Sequence, residues 1–205
     1  AVQGRGSGAD VAASIYGGIV GYRSGQVFAS FGLSVPLTAV YCGYKTPTAE
    51  VIARVDDRSN EHPEKFERLY AEIDRGVEAA VQYLQEQNLP AFGRVLNDHQ
   101  KLMKEMGVST PELDEIVSAL QADPEIFGAK ISGSGLGDCA VGVGYADLTD
   151  WPIPSIIWKS VRRDVHKMDR TSLRDRLYVI IFEADTVPGK IFDVLLFIAI
   201  MVSVG

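Results

Sequence analysis

The chain holds only two cysteines in 205 residues, Cys42 and Cys139, far apart in sequence. That scarcity excludes a disulfide scaffold and a cysteine-rich zinc site, and it suits a reducing cytosol. Histidine is equally sparse: His62, His99 and His166 form no ligand-spaced cluster, so no protein-held metal is expected. Basic residues are outnumbered, 20 Lys and Arg against 27 Asp and Glu, and the net charge of −7 argues against nucleic acid as a partner. The first ten residues are glycine-rich and lack an apolar core, so no secretory signal is read there. No internal repeat is visible. What is present is ordinary globular material, 46% hydrophobic and 23% charged, enough for one domain or slightly more.

Charge is unevenly placed. Residues 159–176 carry seven Lys or Arg against three Asp, a local net of +4 that leaves −11 on the rest. A run at 191–204, apolar apart from Asp193 and Ser203, follows closely. The chain therefore reads as two pieces, 1–144 and 168–205, with a junction or linker at 145–167 that contains Trp151-Pro152-Ile153-Pro154.

In the first piece, Val11, Ala12, Ile15 and Ile19 recur at helical spacing, with Ser7 or Asp10 as cap and Gly17-Gly18 as terminator. Strands are predicted at 27–31 and 37–42, joined through a loop containing Pro36. Thr46 is the expected cap of the next helix, with Pro47 at its first position. Pro63 opens a long helix whose Phe66, Leu69, Ile73, Val77, Ala80, Val81 and Leu84 form one apolar stripe. Further helices run from Pro90 to the terminator Gly107 and from Pro111 to about Leu120. Strands at 126–131 and 139–143 flank the loop 132–138. Helices and strands intermix without βα alternation, which predicts an α+β fold.

Two glycine-rich stretches are candidates for chemistry. Ser132-Gly133-Ser134-Gly135-Leu136-Gly137 follows a predicted strand, so its backbone N–H groups are able to approach an anion. It lacks the Gly-Lys-Ser/Thr ending of a phosphate-binding P-loop. Gly4-Arg5-Gly6-Ser7-Gly8 has no strand before it and does not fit a dinucleotide fingerprint. Taken singly, each reads as a turn, and Asp10 as a helix cap.

Taken together they read differently. GSGADVAASIYGG (6–18), LNDHQKLMKEMGVSTPELDEIV (96–117) and GAKISGSGLGDCAVGVG (128–144) occur in this order. They resemble the carboxy-terminal two-thirds of a GHMP kinase, most closely the mevalonate kinase type. The resemblance implies helices packed on an antiparallel sheet and ATP- and Mg2+-dependent phosphorylation of a small alcohol such as mevalonate. Phosphomevalonate kinase and sugar kinases of the same superfamily are the alternatives within it. By resemblance, Asp10 stands at the catalytic aspartate, and Gly133, Ser134 and Gly135 form the loop that holds the phosphoryl charge. Lys45, Thr46, Asn97 and His99 are expected to border the substrate, although Asn97 and His99 read equally well as polar residues of a helix face. Lys130 is read as reaching solvent from its strand, and Cys139 as a small buried residue rather than a nucleophile.

The family's first two motifs, including the loop that wraps the nucleotide phosphates, do not occur in this sequence. The chain alone is therefore expected to be inactive. From Met168 onward it resembles the amino-terminal start of a bacterial voltage-gated-type potassium channel, through LYVIIFEADT and the GKIFD that follows. That resemblance implies a helical tail with a truncated membrane span at 191–204, shorter than the ~20 residues a spanning helix needs. A fused or fragmentary reading frame accounts for both pieces, and a non-catalytic protein tethered to a membrane is the alternative. The expected partners are the small alcohol, a membrane through 191–204 and a second copy of the chain. Residues 1–144 are expected in the cytoplasm.

Overall fold

The computed structural model describes residues 9–146 except 24, 33 and 34. The channel-like segment 168–205, its apolar run and most of the 145–167 junction lie outside the described residues. Among the described residues, no helix is long and apolar enough to cross a membrane.

The chain opens with α1 (Ala9–Tyr16), then β1 (Ile19–Arg23) and β2 (Gln26–Phe31), which pair antiparallel. Gly17 and Gly18 both take left-handed φ, +65° and +68°, and turn the chain out of the helix. Ile19, expected on the helix stripe, therefore begins a strand instead. Ala9 and Ala12 of α1 pack against Tyr22 of β1, and Val27 closes that small cluster.

A second antiparallel sheet has the order β3-β5-β4, from β3 (Leu37–Tyr41), β4 (Ile126–Ile131) and β5 (Cys139–Gly144). The strands predicted at 27–31 and 37–42 thus exist but belong to different sheets. Between β3 and β4 run α2 (Thr48–Glu61), α3 (Pro63–Gln85), α4 (Leu89–Met106) and α5 (Pro111–Ala122). The stripe of α3 is buried as its spacing requires, at Phe66, Leu69, Ile73, Val77, Ala80 and Leu84. Asn88 caps α4 by accepting from the Ala91 N–H, Gly107 ends it at φ +79°, and Thr110 caps α5 by accepting from the Leu113 N–H. Thr46 does not cap α2. Pro47 sits at that position with an extended ψ of 132° and no side-chain bond, so the helix begins at Thr48.

Both faces of the β3-β5-β4 sheet are covered. Val40, Ala140, Ala129 and Ile131 face one core with Leu113, Ile116, Val117 and Leu120 of α5. Val143 faces the other, with Ala80 and Leu84 of α3 and Phe92 and Leu96 of α4. Lys130 lies between Ala129 and Ile131 and pairs across the ladder with Val141, so strand alternation turns it toward the α3–α4 side. It is 2% exposed. The expectation that it reaches solvent is wrong, because helices cover that face too.

The outer edge of β4 is closed by α4. Gly93 and Gly128 meet so closely that a Cβ on Gly93 would stand 2.4 Å from the Phe127 backbone. This approach brings two amide side chains, one helical turn apart, onto the strand's outward N–H groups. Asn97 Oδ1 accepts from Ala129 and Gln100 Oε1 from Ile131, each at 2.8 Å. A strand edge that would otherwise hold orphaned donors is thereby satisfied.

Two glycines within helices should consequently respond in opposite directions. Gly93→Ala forces backbone apart and should lower unfolding free energy by about 1–3 kcal/mol despite its better helix propensity. Gly76, in the interior of α3, has 3.8 Å between a built Cβ and Val95, so Gly76→Ala should raise stability by about 0.5–1 kcal/mol. Urea unfolding of the two variants checks both signs, and a stabilised Gly93→Ala would contradict the edge packing.

Candidate active site

The loop 132–138 is fixed by three neighbouring segments. Ser132 N–H donates to Cys139 O at 2.8 Å, Leu136 N–H to Val108 O at 2.7 Å, and Asp138 N–H to Tyr44 O at 2.7 Å. Cys42 N–H returns a bond to Asp138 O at 2.9 Å. The hydroxyl of Thr46 donates to Leu136 O, and Lys45 Nζ lies 3.1 Å from Asp138 Oδ2. Lys45 and Thr46, expected to border the substrate, stand at the loop, where Lys45 pairs with Asp138 and Thr46 with Leu136. Tyr44 ties the same segment to α5 through its hydroxyl, 2.9 Å from both Thr110 Oγ1 and Glu112 Oε2.

The loop backbone is unusual for its residue types. Gly133, Gly135 and Gly137 have positive φ, and so do Leu136 at 54° and Asp138 at 72°. Non-glycine residues there cost roughly 1–2 kcal/mol each and persist only where surrounding contacts hold them. Gly135 is required sterically: a Cβ would come within 2.3 Å of Val108 O. Among the described residues, the N–H groups of Gly133, Ser134 and Gly135 make no hydrogen bond, while those of Ser132, Leu136 and Asp138 are engaged. Three consecutive donors on a tethered, half-buried turn suit the oxygens of a phosphoryl group. The buried Ser132 Oγ and Gln100 Nε2 also lack a partner at the base of the loop. For the magnesium of a nucleotide the fit is limited to the phosphate side, because no three His, Cys, Asp or Glu among the described residues converge as ligands.

Asp10 lies in α1; its side chain is outside the described ones. Asn97 and His99 stand apart from the loop group. Asn97 is engaged with β4, as above, whereas His99 lines a cavity beneath α3 and α4 together with Lys130. Burial, reinforced by the charge of Lys130, holds the His99 imidazole well below its usual 6.5. Burial also lowers Lys130 from 10.5 to about 7. Cys139 fits its reading as a small buried residue: burial first, then the neighbouring Asp138 carboxylate, pushes its thiol up and away from the reactive thiolate. Sequence reasoning missed Gln100, Asp138 and Tyr44 as loop or edge fasteners. The one available signal was Gln100 standing three residues after Asn97, on the same helix face.

The Lys130 shift has a measurable consequence. Between pH 7 and 10 the unfolded chain binds a proton that the folded chain does not, so stability attributable to Lys130 rises with pH, by about 1 kcal/mol per unit. His99 acts at lower pH, where protonation of the unfolded state below about 6.5 reduces stability. Denaturant unfolding from pH 6 to 10 should show a steeper rise for the wild type than for Lys130→Met. Parallel curves would contradict the burial of Lys130.

Residues 80–148 match the family described as GHMP kinases C terminal, a span that contains α4, α5, β4, the loop and β5. Among curated relatives, the mevalonate kinase of Pyrococcus horikoshii is 32% identical over 143 residues, 67% of this chain and 42% of that protein. That of Saccharolobus solfataricus is 33% identical over 137 residues, 66% of this chain and 43% of its own length. The crystal structure of L. major mevalonate kinase in complex with R-mevalonate superposes with a TM-score of 0.68 at 30% identity, covering 77% of this chain and 53% of that one. The chain thus spans about two fifths of the length of these curated relatives. Residues 80–148 therefore match the carboxy-terminal family of GHMP kinases, within an α+β fold similar to that of mevalonate kinase.

Proposed function

We propose that the described part of this chain is the catalytic-aspartate and phosphoryl-holding portion of a GHMP-type kinase, acting in the cytoplasm, that transfers the γ-phosphoryl group of ATP to the hydroxyl of mevalonate. The observation that carries this reading is the tethered 132–138 loop with its three available N–H groups, inside a segment 30–33% identical to mevalonate kinases. In this reading the Asp10 carboxylate takes the proton of the acceptor hydroxyl as its oxygen bonds to the γ-phosphorus and the bond to ADP breaks. Gly133, Ser134 and Gly135 direct their N–H groups at the charge on the transferring group, where preorganised donors act most strongly. Magnesium, when bound to the nucleotide, neutralises phosphate charge. Lys45, 39% exposed beside the loop, is the substrate-facing cation of this proposal. Thr46 serves by holding Leu136 in its left-handed conformation.

The test is a chimera that places the amino-terminal part of the P. horikoshii relative before Ala1, assayed for mevalonate-dependent ADP release. Asp10→Asn should lower turnover by about 10²–10⁴-fold while ATP still binds. Normal turnover in that variant would remove Asp10 from the mechanism. Turnover with another alcohol but not mevalonate would replace the substrate. The chain assayed without the added part is proposed to be inactive, and mevalonate phosphorylation by it would overturn that.

A further inference from the structure

The cavity beneath α3 and α4 has a volume of about 730 Å³, in the range of small-molecule sites. None of the residues 132–138 is among those lining it, so it is distinct from the loop. Ile73 and Val77 of α3, Leu96 of α4 and Val141 and Val143 of β5 give it apolar walls. His99 joins the same lining from α4. We propose that this cavity binds an uncharged aliphatic alcohol, its hydroxyl on the His99 imidazole and its hydrocarbon chain along the α3–α4 wall. The proposal is independent of the kinase reading.

Three features select that ligand class. The walls favour burial of a hydrocarbon chain, by about fourfold in affinity for each methylene. The His99 imidazole makes no hydrogen bond to any described residue, and a neutral imidazole offers one donor and one acceptor, either of which a hydroxyl meets. Burial holds that imidazole well below its usual 6.5, so at pH 7 it is uncharged and calls for no counter-ion. The third feature is that the charges around the cavity are already engaged or in water.

Lys130 lines the cavity but is itself engaged in the structure, and it takes no part in holding the alcohol. The remaining charged groups of the lining come from α3 and α4, namely Glu72, Arg75, Asp98, Lys101 and Glu105. Lys101 pairs with Asp98 at 2.7 Å, and Arg68 pairs with Glu105 and, at 3.9 Å, with Glu72. Arg75 is exposed, so water screens its charge. A carboxylate or an ammonium drawn between these walls would lose its hydration without a matching charge, whereas a hydroxyl needs only one hydrogen bond.

The experiment is calorimetric titration of the full chain at pH 7 with 1-octanol, with octanoate and octylammonium as charged controls. Octanol should bind at least tenfold more tightly than either, with a negative heat-capacity change. Affinity should rise at least fivefold from 1-hexanol to 1-octanol. His99→Leu should weaken every alcohol about fivefold or more and leave the gain per methylene unchanged, a split that general loosening of the fold would not produce. Gly76→Leu, which fills the cavity from a helix position with room for a side chain, should abolish binding. Failure of octanol to bind, equal or tighter binding of octanoate or octylammonium, no dependence on chain length, or unchanged affinity in His99→Leu would each overturn the proposal. Displacement of octanol by mevalonate would overturn it as well, by making the cavity the acceptor site of the kinase. Should either variant fail to fold, the charge and chain-length comparisons on the wild type decide.

Discussion

The docking of α4 along the open edge of β4 is the constraint on which the rest of the described structure depends. An edge strand presents a row of donors that must be satisfied or covered. Here two glycines let helix and strand backbones touch, and only then do Asn97 and Gln100 reach the Ala129 and Ile131 N–H groups. The contact fixes which way each residue of β4 faces. Ala129 and Ile131 enter the α5 core, and Lys130 is left no direction but the covered opposite face. It also fixes where β4 ends, and so where the glycine loop begins. A one-residue slip would exchange Lys130 for its apolar neighbours on both faces at once.

The loop is the second consequence. It leaves the sheet at a residue adjoining Gln100's partner Ile131, then passes under Val108 and against Tyr44 before β5 begins. Those tethers explain how Leu136 and Asp138 stay in left-handed conformations that free chains avoid. Rigidity of this kind is what anion recognition by backbone requires, since donors already aimed need no reorganisation when charge arrives.

Much of this was legible in the sequence, and the limits have physical causes. Helix α3 announced itself through a stripe of seven apolar residues, because one period and one buried face determine each other. The terminator Gly107 and the helix start at Pro111 follow from local chemistry and were equally readable. Sheet membership was not, because β2 and β3 are adjacent in sequence but choose partners by long-range packing. Thr46 has the residue type of a cap, yet its hydroxyl went to Leu136, ninety residues away. Lys130 was misread for a related reason: alternation gives the face of a strand residue, but not whether something covers that face. The loop's donors were legible as a motif, while the tethers that aim them are tertiary.

Gln100 and Lys130 show how one strand serves two chemically opposite regions. Moving along β4 toward the loop, the chain passes from an apolar cavity bordered by Lys130 to a turn rich in backbone donors within three residues. Ile131 stands between them, wholly buried, with its N–H held by Gln100. The strand is held there on both sides, by the amides of α4 along its outer edge and by the ladder to Val141 and Ala140 of β5, and the Gly93–Gly128 contact keeps α4 close enough for its amides to reach.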